Sequence, residues 1–354
     1  MLRSRIAGVG MYLPENVVTN NDLLKYMETS DEWIQERTGI KERRYAHRTK
    51  ETTTTMAVEA AKVAIGRAGI TPQDIDFIIF ATLSPDYYFP GCGVLLQRAM
   101  KMKQIGALDV RNQCSGFVYA LSVGDQFIRS GTYKNILVVG SEKHSLGLDF
   151  STRGRNVTVI FGDGAGAVVL QPTNSSDGSS QEQGILSCHL HSDGNSAEIL
   201  AQYNPGSHAN HWTEEKVADF DDAEIGEMFL SHAMIDNAQL FPNMDGPAVF
   251  KIAVEKFPEV ILEALAANDL QTSDLKLVIP HQANLRISQF VQKKLRLRDD
   301  QVYNNIQRVG NTTAASIPIA LCEAWERDII KEGDLICLAA FGSGFTWASA
   351  LLRW

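Results

Sequence analysis

Asp76-Phe77-Ile78-Ile79-Phe80-Ala81 and Asp274-Leu275-Lys276-Leu277-Val278-Ile279 are one kind of segment met twice, 198 positions apart. Each is a short, mostly apolar run behind an aspartate, the pattern of a strand buried on both faces. Two more pairs keep a similar offset. Ser130-Gly131 ahead of Ile136-Leu137-Val138 matches Glu332-Gly333 ahead of Leu335-Ile336-Cys337, about 200 later, and Phe161-Gly162-Asp163-Gly164 matches Phe341-Gly342-Ser343-Gly344, 180 later. Such a period is far too long for a solenoid repeat. It points to two fused copies of one α/β fold.

Working outward, helix-like and strand-like runs alternate. Thr53 to Ala68 carries Ala57, Ala60, Ala61 and Ala64 on one side, and Ser115 to Ser130 carries Phe117, Leu121, Gly124 and Ile128 at helical spacing. Gly106–Val110, Asn135–Gly140 and Val157–Ile160 read as strands. The alternation predicts mainly parallel sheets covered by helices on both faces. The expected halves are 1–172 and 173–354, joined by the polar, turn-forming stretch from Pro172 to Gln183. The irregular stretch from Tyr203 to Asp245 is expected to be partly helical, and it reads as a lid or binding wall.

The chain has 354 residues and a net charge of −9, with 44% hydrophobic and 21% charged residues. This is globular composition, and the acidic balance argues against broad nucleic-acid binding. Two basic clusters stand out: Arg37, Lys41, Arg43, Arg44 and Arg48, then Arg286, Lys293, Lys294, Arg296 and Arg298. In an acidic protein these suit an anionic ligand or an acidic partner, or else are plain solvated faces. Five cysteines (Cys92, Cys114, Cys188, Cys322 and Cys337) without a CxxC pair suit a reducing cytoplasm and indicate no metal site. The opening Met1-Leu2-Arg3-Ser4-Arg5-Ile6 does not read as a signal peptide, and no apolar run approaches the roughly 18 residues of a membrane span.

Three residues carry candidate chemistry. Cys114, in Asn112-Gln113-Cys114-Ser115-Gly116, follows a strand and opens a helix. A helix N-terminus favours a thiolate, a nucleophile for thioesters; the alternative is a small buried core cysteine. His281, in Pro280-His281-Gln282-Ala283-Asn284, follows a strand and is a candidate donor to a carbonyl oxygen, or a turn histidine satisfied by backbone. Asn311, in Gly310-Asn311-Thr312, precedes a helical run and is a candidate ligand or a plain N-cap. The repeat offset carries Cys114 to Asn311, 197 residues on, so two related halves can deliver all three to one crevice at strand C-terminal ends. Phe161–Gly166 lacks a following helix and is no dinucleotide fingerprint. Phe341–Gly344 offers backbone N–H groups to an oxyanion.

With Arg37-Thr38-Gly39-Ile40, Cys114-Ser115-Gly116-Phe117, Phe161-Gly162-Asp163-Gly164-Ala165-Gly166-Ala167, His281-Gln282-Ala283-Asn284, Gly310-Asn311-Thr312 and Gly344-Phe345-Thr346-Trp347, the chain resembles the β-ketoacyl-acyl-carrier-protein synthase III family of thiolase-fold condensing enzymes. The resemblance runs over most of the chain but fails across about 195–242, which reads as an insertion. It implies a thiolase-like fold in which two pseudo-repeated halves stack as five layers, αβαβα. It implies a cytoplasmic homodimer without a permanently bound cofactor or metal, and a decarboxylative Claisen condensation of an acyl-CoA with malonyl-acyl carrier protein through an acyl-cysteine.

By position, the resemblance makes Cys114 the nucleophile and His281 and Asn311 donors to the malonyl thioester, with backbone N–H groups of Cys114 and Ser343 as the oxyanion hole. Trp33 and Arg153 would sandwich the CoA adenine and Arg37 meet a CoA phosphate. Arg286, Lys293 and Lys294 match the carrier-protein surface. Phe89, Gly246, Phe250 and Phe341 match the acyl tunnel. Departures at Gly91-Cys92-Gly93, Pro247 and Ser343 lie near that tunnel and favour acyl chains of medium or greater length. Two alternatives are a head-to-head condensing enzyme, which needs an added carboxylate base, and a non-catalytic synthase subunit.

Overall fold

The computed structural model describes residues 2–173, 183–206 and 232–354. Most of the Pro172–Gln183 link and the centre of the 195–242 excursion therefore lie outside the described residues.

Two sheets organise the chain. The first runs in the order Ser4–Tyr12, Gly164–Pro172, Ile136–Glu142, Phe77–Ala81, Gly106–Val110. The second runs Leu277–Pro280, Leu335–Gly342, Thr346–Arg353, Gly184–Ser192. The expectation of mainly parallel sheets needs correcting. Phe77–Ala81 pairs in parallel with both of its neighbours, and Leu277–Pro280 in parallel with Leu335–Gly342, but every other pairing is antiparallel. The Ser343-Gly344-Phe345 turn explains one case, since a connection this short can only reverse the chain. Val157–Ile160 is not a strand either. Arg155–Thr158 is a helical turn, and Val159 and Ile160 are buried against Leu23, Ile34 and Ile40 instead of joining a ladder.

The helices fill three layers around these sheets. Gly116–Arg129 and Ser316–Glu326 lie between them, and their Phe117, Leu121, Ile317 and Leu321 share one core with Ile79 and Val138 from the first sheet and Ile336 and Leu338 from the second. Thr53–Arg67 and Cys92–Ala99 cover the outer face of the first sheet, burying Ala57, Ala60, Ala61 and Ala64 with Ile78 and Phe80. Gly246–Ala266 and Leu285–Lys294 cover the outer face of the second. The result is αβαβα. Small alanines on Thr53–Arg67 let its backbone approach the sheet, and Thr52 caps it by accepting from Thr55 N–H.

The halves lock through their corresponding turns. Gln113–Ser115 and Thr313–Ala315 each start from a left-handed residue, Gln113 at φ 41° and Thr313 at φ 48°, and each leads into a middle helix. The structural counterpart of Cys114 is thus Ala314, 200 residues on, and the sequence-level pairing of Cys114 with Asn311 is displaced. Each turn packs on a glycine of the opposite half. A Cβ on Gly140 would lie 2.2 Å from the Ala314 carbonyl oxygen, and a Cβ on Gly342 would lie 2.4 Å from Cys114 Cβ. Ser115 Oγ donates to the Thr346 carbonyl at 3.1 Å across the same seam.

Gly140→Ala is therefore expected to lower unfolding stability by about 1–3 kcal/mol, the usual range for overpacking. Gly66→Ala, in a helix with open space around the site, is expected to raise it by about 0.5–1 kcal/mol. Urea denaturation of both variants checks the pair, and equal shifts would contradict the seam packing.

Candidate active site

Cys114 sits at the C-terminal end of the Gly106–Val110 strand, in the turn just described, with 9% of its surface exposed. Gly342 admits it closely: a Cβ there would also lie 2.9 Å from Cys114 Sγ. The backbone N–H groups of Ser343 and of Cys114 itself act on the sulfur and favour the thiolate. The expected lowering of the thiol pKa does not follow. Burial, with the Glu142 carboxylate as a second cause, pushes the Cys114 thiol up to about 12. The turn helix is only three residues long, so its amides offset little of the desolvation.

His281 follows the Leu277–Pro280 strand and donates its backbone N–H to Ala339 O at 2.7 Å. Its ring is buried and burial pushes its pKa down to about 3, so it is neutral. Nδ1 lies 2.6 Å from Ser316 Oγ, while Nε2 is buried with no hydrogen-bond partner among the described residues. The Ser316 hydroxyl accepts from Gln282 N–H and has its own proton to donate to Nδ1, an arrangement that suits the tautomer with the ring proton on Nε2. Asn311 is tied down on three sides. Its N–H donates to Ile160 O, its carbonyl accepts from Gly162 N–H, and its Oδ1 accepts from Thr313 N–H at 2.8 Å. Only the amide Nδ2 remains to donate elsewhere. The Gln113–Ser115 and Thr313–Ala315 turns touch; Asn311 is tied to the second turn through Thr313 N–H and His281 to the residue after it, Ser316, while neither lines the cavity that Cys114 opens on.

A cavity of about 530 Å³ opens at Cys114. Its wall includes Leu83 to Tyr87, Lys143 to Leu148 except Ser145, and Leu200 to Gln202, with Phe161, Pro242, Thr313, Ser343 and the cations Arg48 and Arg111. Leu200, Ala201, Gln202 and Pro242 belong to the 195–242 segment, and Ser343 Oγ donates to Leu200 O. His144, which sequence reasoning missed, is buried in this wall. Its Nε2 lies 2.7 Å from Thr313 Oγ1, its ring packs on Phe161, and burial pushes its pKa down to about 3. The signal available in sequence was a charged Glu142-Lys143-His144 run directly after a buried strand.

Other expected residues fall elsewhere. Phe341 is buried and turned into the core against Phe345 and Phe257. Phe250 packs on Phe290 beneath Arg286, Gly246 opens the Gly246–Ala266 helix, and Phe89 is 80% exposed. None of the four lines the cavity of this chain. The Trp33 ring is flanked by Arg37 at 4.4 Å and Arg155 at 5.3 Å. Arg153 ion-pairs with Asp149 at 2.7 Å, and the second arginine against the Trp33 ring is Arg155. Arg43 does not belong to a solvated basic face. It is fully buried and donates to Val159 O, Val18 O and Asn20 Oδ1. Arg286, Lys293 and Lys294 are exposed on the Leu285–Lys294 helix, whose N-cap Asn284 lies three residues past His281.

The family model for 3-oxoacyl-[acyl-carrier-protein] synthase III matches residues 108–194, and that for its C-terminal part matches residues 265–354. A β-ketoacyl-[acyl-carrier-protein] synthase III of Methylococcus capsulatus is 42% identical over 351 residues, covering 99% of both chains. One of Xanthomonas campestris pv. campestris is 45% identical over 352 residues, covering 99% of this chain and 98% of the relative. The crystal structure of 3-oxoacyl-[acyl-carrier-protein] synthase III from Aquifex aeolicus superposes with a TM-score of 0.84 at 42% identity, over 99% of this chain and 100% of that one.

His281 and His144 are neutral when folded and protonate near pH 6.5 when unfolded. Stability is then expected to be full above about pH 6.5 and to fall toward pH 3 by about 1.4 kcal/mol per pH unit for each ring. His144→Leu is expected to remove about one proton from that slope in urea denaturation between about pH 4.5 and 6.5. An unchanged slope would show that the ring is not held neutral.

Proposed function

This chain belongs to the 3-oxoacyl-[acyl-carrier-protein] synthase III family, and from that premise we propose how its residues divide the work. The enzyme is a condensing acyltransferase that joins an acyl group from CoA to malonyl-acyl carrier protein. Cys114 as thiolate attacks the acyl-CoA carbonyl carbon. The oxyanion so formed faces the N–H groups of Cys114 and Ser343. The CoA thiolate leaves with the electrons of the broken C–S bond and takes up a proton, balancing the one Cys114 released. The acyl group stays on sulfur.

The malonyl thioester then loses CO₂, and the electrons of the broken C–C bond remain on its α-carbon as an enolate. His281 Nε2–H and Asn311 Nδ2–H donate to the enolate oxygen. The carbanion attacks the acyl carbon, and Cys114 departs as thiolate from a 3-oxoacyl product. One observation carries this assignment: the buried Nε2 of a neutral histidine has no partner among the described residues, and the asparagine's Oδ1 is already occupied, which leaves its Nδ2 to donate. A buried orphan donor costs about 1–3 kcal/mol unless a ligand completes it.

Trp33 with Arg37 and the neighbouring Arg153 and Arg155 receive the adenine and phosphates of CoA. Arg286, Lys293 and Lys294 receive the acidic carrier protein. Exposed Tyr87, Tyr88, Phe89 and Leu146 form an apolar patch suited to a second copy of the chain, with Phe89 reaching toward the partner. The cavity volume lies within the usual range for a ligand pocket, which supports acyl chains longer than acetyl. No helix among the described residues is long and apolar enough to cross a membrane, and five free thiols support the cytoplasm. The head-to-head alternative is disfavoured. The carboxylate that acts on Cys114 is Glu142, and both its oxygens already accept hydrogen bonds.

Intact-mass spectrometry is expected to show octanoyl transfer from octanoyl-CoA to the wild type and none to Cys114→Ala. His281→Ala and Asn311→Ala are expected to keep that mass gain while losing malonyl decarboxylation by about 10²-fold or more. Transfer of acetyl alone would contradict the chain-length assignment. Unimpaired decarboxylation in both variants would contradict the donor pair. Arg286→Glu is expected to raise KM for the malonyl carrier protein and leave acyl transfer from CoA unchanged.

A further inference from the structure

Three parallel strands end side by side at the site. Phe77–Ala81 leads into the Thr82–Ser84 turn, Gly106–Val110 into the Cys114 turn, and Ile136–Glu142 into Lys143 and His144, with Phe77–Ala81 in the middle. Glu142 is fully buried at the end of the third strand. Its carboxylate is clasped by one turn. Oε2 accepts from Thr82 Oγ1 at 3.1 Å, Leu83 N–H at 3.2 Å, Ser84 N–H at 3.1 Å and Ser84 Oγ at 2.5 Å, and Oε1 accepts from Leu83 N–H at 3.2 Å. Lys143 N–H donates back to Ser84 Oγ at 2.9 Å. Leu83 and Ser84 are cavity wall, so this carboxylate is the post to which that wall is tied.

None of the charged groups around it is placed to cancel a negative charge. The Lys143 ammonium is turned to the carbonyls of His47, Arg48 and Glu51. The His144 ring is neutral against Thr313. Asp163 is held by Ser145 and Ala46, and Asp86 by Thr52 and Thr54. Arg48 and Arg111 line the same cavity, but neither is hydrogen-bonded or ion-paired to Glu142; the Cys114 thiol is the group on which the Glu142 charge acts. Two buried like charges in one low-dielectric site exclude each other.

We propose that Glu142 is a positioning residue for the nucleophile: it pins the Thr82–Ser84 wall and keeps its own proton whenever Cys114 gives one up, so that the pair carries one negative charge at a time. Burial, outweighing four hydrogen-bond donors, raises the Glu142 carboxyl to about 7, which puts this exchange at a working pH. Below it, Glu142 is neutral and thiolate formation rises tenfold per pH unit. Above it, the ionised carboxylate holds the thiol protonated and the rise flattens. The proposal rests on Cys114 as the nucleophile, yet its test does not need turnover.

The test is the rate of Cys114 alkylation by iodoacetamide from pH 5.5 to 9, read by peptide mass with Cys114→Ala as the blank. The wild type is expected to show a break near pH 7. Glu142→Gln, an isostere without the charge, is expected to match the wild type within about twofold at pH 6, lose the break, and run about tenfold faster at pH 8.5. Thr82→Val and Ser84→Ala keep the charge but remove donors to it. They are expected to move the break to higher pH, and they keep the test decisive should Glu142→Gln fail to fold. A Glu142→Gln profile parallel to the wild type, or breaks unmoved in the donor variants, would overturn the coupling. Failure of acyl transfer with the break intact would instead overturn the nucleophile assignment and leave the coupling standing.

Discussion

The close approach of Gly342 to Cys114 is the contact on which the site depends. Any side chain at Gly342 would occupy the space of the Cys114 side chain. The same approach, repeated at Gly140 and Ala314, shows that one packing solution serves both halves of the seam. A strand end from one copy meets the turn of the other, and the middle helices that follow those turns fill the layer between the sheets. The repeat thus builds the core and the crevice with the same contacts. The first half brings a thiol to its side of the seam. The second brings His281 and Asn311, with Ala314 standing where a second nucleophile would be.

Burial sets the chemistry available there. It disfavours charge on every ionisable group it encloses, raising Cys114 and Glu142 and lowering His281 and His144. A site so arranged is poor at holding ions at rest and good at stabilising charge that appears only during reaction, through preset neutral donors. The enolate of a thioester spreads its charge onto one oxygen, and two neutral N–H groups match that demand. The thiolate is the harder charge to create in this setting. The amides of Ser343 and Cys114 act on it favourably and Glu142 unfavourably.

Much of this was legible in the residues. Cys114 and His281 each follow an apolar strand run at a turn, and the 198-residue echo of Asp76–Ala81 in Asp274–Ile279 announces the duplication. Strand direction was not legible, because a buried run looks the same whichever way its neighbour points. The offset that carried Cys114 to Asn311 failed by three residues, since the helical turn Ile306–Val309 and Gly310 place Asn311 ahead of the repeated turn instead of within it. Arg43 looked solvated within a run of cations, yet an arginine can be buried when backbone carbonyls take its protons. Arg155, two residues past Arg153, drew no notice in the sequence, because its contact with Trp33 is made only in the fold, where Asp149 holds Arg153. Glu142 and His144 escaped notice because their function depends on the turns they tie to, Thr82–Ser84 and Thr313, each distant in sequence.

The central claim is that one sulfur holds the acyl group between two half-reactions. A quench-flow chase tests it most directly. The enzyme is mixed with isotopically labelled acyl-CoA, freed of excess donor, digested in part to locate the label, and the remainder given malonyl-acyl carrier protein. The label is expected on the peptide containing Cys114 before the chase and on a 3-oxoacyl carrier protein after it, in equal amount. Label that stays on the peptide, or product that forms without the peptide ever carrying label, would contradict an acyl-cysteine intermediate at this site.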